Sequence, residues 1–180
     1  MKRIGPMVIP MVVPMVAAAL LVACQSTPDE PARATAALQP TKGSKAFGEA
    51  TFEQVGSDKV RVVVFAQNLK PDGEHGFHIH EAGDCSSGDG MSAGGHFNPH
   101  GKPHGDPKSA ERHAGDLPSL KSDKGGRAKL DATVDGISIG QGPGNIVGRS
   151  VIIHADPDDY KTQPTGNAGA RIACGVIKAG

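Results

Sequence analysis

Tryptophan is absent from this chain, tyrosine occurs once, and phenylalanine only five times. That leaves little from which to build stacking platforms for bases or sugars. An excess of one charge is missing as well. The 19 Lys and Arg residues balance 19 Asp and Glu, so no basic surface points to nucleic acid. No segment carries a sustained apolar stripe at a 3.6-residue period, which argues against a helical bundle. What is plentiful is Gly and Pro, 25 and 14 of 180 residues, and these imply many turns. Histidine is the outlier at eight.

The N-terminus reads as an address. Lys2 and Arg3 precede an apolar run from about Met7 to Ala23, interrupted by Pro6, Pro10 and Pro14. Those prolines and the small residues at its end favour a cleaved signal over residues 1–23 rather than a spanning helix. Leu21-Val22-Ala23-Cys24 resembles a bacterial lipoprotein box, with Cys24 acylated; an ordinary secretory signal is the alternative. Either route delivers the chain to an oxidising compartment. On the first, the expected location is the bacterial periplasm or cell envelope, membrane-anchored through the lipid on Cys24. Residues 24–44, rich in Pro, Ala, Thr and Gln, read as a flexible tether, with one domain over 45–180. With Cys24 acylated, Cys85 and Cys174 remain as one candidate disulfide closing a loop of about 90 residues.

Within the domain, short β-type runs bounded by turn residues cover 46–55, 60–69, 74–81, 128–134, 150–154 and 170–177, with a weaker run at 136–140. Six to eight such strands imply an all-β antiparallel sandwich or barrel. Between Glu81 and Gly126 nothing reads as regular structure, and a loop of that length needs something to order it. Its side chains supply a candidate, because His96, His104, His113 and Asp116 lie within it. Three imidazoles and a carboxylate suit a closed, four-coordinate zinc site, whose coordination can offset the ordering entropy.

His78 and His80 are two apart in Gly76-Phe77-His78-Ile79-His80 and leave the same face of a strand. His154 ends the apolar run Val151-Ile152-Ile153. With the pair it makes a three-imidazole cluster suited to copper. Two four-coordinate sites need eight donors, and seven candidates stand out. One shared ligand closes the gap.

Five strings then resemble copper/zinc superoxide dismutase of the bacterial secreted branch. They are GFHIHE (76–81), GGHFNPHGKPHG (94–105), ERHAGDL (111–117), GRSVIIHADPDD (148–159) and GNAGARIACGVI (166–177). The resemblance implies an eight-stranded antiparallel Greek-key β-barrel or sandwich with long metal-binding loops. It implies copper on His78, His80, His96 and His154, and zinc on His96, His104, His113 and Asp116, one of each metal per subunit. His96 would be the bridging, catalytic imidazole, and Arg171 the guanidinium that guides superoxide. Asp158 would accept hydrogen bonds from His78 and His104, and Cys85 would pair with Cys174. His75 and His100 match no ligand position and are expected at the surface. Relatives of this kind include homodimers and monomers. The expected reaction is disproportionation of superoxide, a small-molecule substrate. A non-catalytic metal-binding lipoprotein on the same fold, or a zinc hydrolase, would be the rival; the latter lacks an evident general base.

Overall fold

Alternation of apolar and polar side chains generates most of the sheet. In the computed structural model, which describes residues 1–2 and 30–180, strand β3 (Lys59–Gln67) buries Val60, Val62, Val64 and Ala66, while Lys59, Arg61, Phe65 and Gln67 face outward. Its neighbours repeat the pattern. β2 (Phe47–Gly56) buries Ala50 and Phe52, and β7 (Ala128–Asp135) buries Ala128 and Val134. Such a period places one face of each strand on a common core.

Strand β1 (Arg33–Pro40) corrects the expected tether. Ala34, Ala36 and Leu38 are fully or almost fully buried, and the strand pairs antiparallel with β2 over Arg33 to Leu38. Its inward residues are mostly alanine, too small to register as an apolar period, yet they fit a position in the middle of the sheet. Residues 3–23 of the proposed signal lie outside the described residues, as do Cys24 and the tether up to residue 29.

The run expected at 74–81 divides at Gly76 into β4 (Glu74–His75) and β5 (Phe77–His80). β4 pairs with β6 (Leu120–Lys121), β5 with β8 (Ser150–His154), and β8 with β9 (Arg171–Val176). The main sheet runs β5-β8-β9-β1-β2-β3-β7, and β10 (Lys178–Ala179) adds to β1 as the eighth strand. Every pairing is antiparallel, and the crossovers give the curled Greek-key barrel that the strand count and the resemblance implied. The weak run at 136–140 forms no strand; Ser138 makes only an isolated bridge to Asn145.

The long segment after Glu81 is irregular apart from one 3-10 turn (Met91–Ala93) and β6, but metal is not its only anchor. Ala93, Phe97, Ala114 and Leu117 are buried, the last three in the main core. Its backbone also docks on β5. Ile79 N–H donates to Gly115 C=O at 2.9 Å, and Phe97 N–H donates to Ile79 C=O at 2.8 Å. These bonds lay His96 beside His80 and Asp116 beside His78. Among the described residues no helix is long and apolar enough to cross a membrane.

Candidate metal centre

β5 is buried on both faces. Phe77 and Ile79 enter the core, so His78 and His80 point the other way, under the long loop and the 154–171 crossover. His154 arrives from the paired strand β8 and His96 from the loop. His78, His80, His96 and His154 form one cluster of converging donor atoms, and His96, His104, His113 and Asp116 form a second. All seven residues are buried, and His96 belongs to both clusters.

Second hydrogen bonds decide which nitrogen of each ring is free. His78 Nε2 donates to Asp158 Oδ2 at 2.7 Å, leaving Nδ1 as a lone pair. His80 Nδ1 donates to Gly94 C=O at 3.0 Å and His154 Nδ1 to Gly169 C=O at 3.3 Å, which frees both Nε2 atoms. Those two Nε2 atoms lie 3.4 Å apart, lone pair toward lone pair. In the second cluster, His104 Nε2 donates to Asp158 Oδ1 at 2.9 Å. His96 Nδ1 and His104 Nδ1 each lie 2.9 Å from Asp116 Oδ1, and His113 Nδ1 lies 3.5 Å from it.

Buried acceptors without donors are costly. His75 Nε2 apart, the buried side-chain atoms without a hydrogen-bond partner among the described residues are His78 Nδ1, His96 Nε2 and His113 Nδ1. Each of these three is directed into a cluster where a cation would satisfy it, so the donor sets fit metal ions. Nitrogen and carboxylate donors without thiolate suit copper(II) and zinc.

Charge states in the first cluster agree with that reading. Burial lowers the pKa of His78, with Asp158 opposing it. Burial, reinforced by neighbouring imidazoles, takes His80 and His154 well below the usual range, and it brings His96 down to about 4 against the pull of Asp116. These rings are neutral, as ligands must be. His104 differs. Burial disfavours its cation, but hydrogen bonds to Asp116 and Asp158 outweigh this and raise it to about 9. Both carboxyls stay ionised: burial raises their pKa values, and the surrounding imidazoles hold them well below the usual carboxylate range.

Asp158 therefore links the clusters, one oxygen on each. Gly166 makes room for it. A Cβ there would fall inside contact distance of Asp158 Oδ1 and 2.5 Å from His104 Nε2, and its φ of +66° also favours glycine.

Arg171 opens β9 opposite His154. Its Nη1 donates to Gly90 C=O and its Nη2 to Gly94 C=O, both at 2.6 Å. The Gly94 carbonyl thus accepts from Arg171 and from His80, which ties the guanidinium to one of the clustered imidazoles. Cys85 and Cys174 are bonded, with Cα atoms 5.8 Å apart, joining the start of the long loop to β9.

His75 overturns its expected place at the surface. It is buried, and its Nδ1 donates to His154 C=O at 2.8 Å, steadying the backbone of a clustered residue. Nothing in its spacing announced this, because only the β5–β8 pairing brings the two together. His100 is exposed as expected.

An eight-stranded Greek-key barrel carrying two four-residue metal clusters joined by one imidazole defines a binuclear metalloenzyme. Residues 46–177 match the family described as copper/zinc superoxide dismutase (SODC). The chain is 44% identical over 151 residues to superoxide dismutase [Cu-Zn] 2 of Brassica juncea, covering 81% of this chain and 96% of that one. It is 44% identical over 155 residues to superoxide dismutase [Cu-Zn] of Paramecium bursaria Chlorella virus 1, covering 82% and 79%. A solved structure of the clock protein EA4 superposes with a TM-score of 0.74 at 45% identity, covering 82% of this chain and 94% of that one. This chain belongs to the copper/zinc superoxide dismutase family. It is an enzyme that converts superoxide to oxygen and hydrogen peroxide, with one copper and one zinc site per subunit.

Proposed function

We propose that copper is held by His78 Nδ1, His80 Nε2, His154 Nε2 and His96 Nε2, and zinc by Asp116 and the Nδ1 atoms of His96, His104 and His113. One observation carries this reading: His96 sits in both clusters, its Nδ1 on the Asp116 side and its Nε2 buried and unpartnered on the other.

Copper supplies one-electron cycling between its cupric and cuprous states, while zinc keeps a fixed charge. The protein supplies the rest. Arg171, fixed by two carbonyls beside His80, draws in the superoxide anion and orients it. His96 Nε2, when not engaged by copper, would hold a proton and pass it toward the reduced product. Its Nδ1, kept on the Asp116 side, holds the ring in place during that exchange. Asp158 keeps both adjoining rings in one tautomer.

Electron paramagnetic resonance of the chain loaded with copper and cobalt in place of zinc tests the shared imidazole. Magnetic coupling should strongly attenuate or broaden the cupric signal relative to the copper-and-zinc form. An identical signal in both forms would refute the bridge.

We also propose that the chain belongs to the secreted, lipoprotein-type branch and acts from a membrane anchor in the cell envelope. The Leu21-Val22-Ala23-Cys24 sequence supports this. Mass spectrometry of the mature protein from a bacterial host should find a chain beginning at an acylated Cys24. A mature chain starting elsewhere and free of lipid would exclude it.

A further inference from the structure

His104 lies in the stretch Gly101-Lys102-Pro103-His104-Gly105, which belongs to no strand or helix. A ring can be aimed only as well as the backbone that carries it, and no sheet holds this backbone. Asn98 holds the main chain of Lys102 and Asp116 the N–H of Gly105, but the main-chain groups of His104 itself are answered from 59 residues away. Gln163 Oε1 accepts the His104 N–H at 2.8 Å, and Gln163 Nε2 donates to the His104 C=O at 2.9 Å. One side-chain amide thus pairs with both main-chain groups of a single residue, as a neighbouring strand would.

The crossover that carries Gln163 also carries Asp158, whose Oδ1 accepts from His104 Nε2. Ring and backbone of His104 are therefore held from one short segment. That segment is itself pinned, because Tyr160 Oη lies 2.8 Å from Ser119 Oγ, beyond Asp116 on the long loop.

We propose that Gln163 is a positioning residue of the zinc site: its amide clasp on the His104 backbone sets the aim of that ligand and hence the affinity and geometry of the bound ion. The proposal rests on the assignment of zinc to the His96, His104, His113 and Asp116 cluster. The residue type follows from the chemistry. Glutamate could still accept from the N–H but would set a carboxylate against the carbonyl. Methionine matches the length and offers neither bond.

The test uses the full-length chain and its Gln163→Met and Gln163→Glu variants, stripped of metal. Zinc affinity is read by competition with a chromophoric chelator, ligand geometry by the visible spectrum of cobalt in the same cluster, and the fold by the melting midpoint without metal. Gln163→Met should bind zinc about 10–100-fold more weakly, the range found for outer partners of metal ligands, with Gln163→Glu in between. The cobalt bands should shift while the metal-free midpoint stays near that of the parent. Zinc affinity in Gln163→Met within about twofold of the parent would overturn the clasp. So would weaker binding with unchanged cobalt bands and a matching loss of metal-free stability, the mark of a general prop. A parent chain that binds no zinc, or binds it equally well as His104→Ala, would overturn the zinc assignment and the clasp with it.

Discussion

Replacing Arg171 with alanine should lower kcat/KM by about 10- to 1,000-fold at low ionic strength, the range by which charged clefts accelerate capture of an oppositely charged partner. The guanidinium is half-buried and spans Gly90 and Gly94, so the chain has already met the cost of ordering it before substrate arrives. Fixed charge close to His80 and His154 acts on encounter and on orientation together. Salt should discriminate further. Screening over a Debye length of about 10 Å at 0.1 M should slow the parent more than the variant, so their rates converge as salt rises. Arg171→Lys should recover part of the loss, because an ammonium keeps the charge but cannot bridge both carbonyls in a planar fork. Stopped-flow decay of superoxide against ionic strength measures all three. Copper content must be followed in parallel: loss of copper in the alanine variant would refute a guidance role, since Gly94 also accepts from His80.

Cys174→Ser should cost about 4.5 kcal/mol of stability, the loop-closure entropy of a link spanning about 90 residues. Cys174 is buried and packs with Ala93 and Ile152 in a small satellite cluster, and Cys85 packs against it. The bond joins this cluster to the strand that begins at Arg171. Urea unfolding of parent and variant gives the stability difference. Limited proteolysis should show faster cutting within 82–125 in the variant, where the backbone leans on few strands of its own. Equal cutting rates would mean that Phe97, Ala114 and Leu117 suffice to hold the loop and that the disulfide is no strut for it.

Most strands that the sequence revealed carry large inward residues. Val60, Val62 and Val64 alternate plainly, and so do His78 and His80, whose shared face follows from the period of two. β1 was hidden because Ala34 and Ala36 signal little on their own, and their burial depends on β2 and β9 lying alongside. The long loop gave no period at all. Its order comes from bonds to Ile79 and from apolar anchors whose partners are distant in the chain. His75 and Gln163 were invisible for the same reason, each acting on the backbone of a residue 59 or more positions away.

Residue chemistry and spacing alone determined that this is a β protein with two clusters of imidazole and carboxylate donors and one donor too few. Local periodicity and donor counts need no knowledge of what lies across the fold. Only the tertiary structure decided which nitrogen of each ring is free, that His75 is buried against the His154 backbone, and that an amide from a distant crossover grips His104. Those facts depend on groups meeting within about 3 Å, a distance set by strand pairing and loop docking rather than by sequence separation.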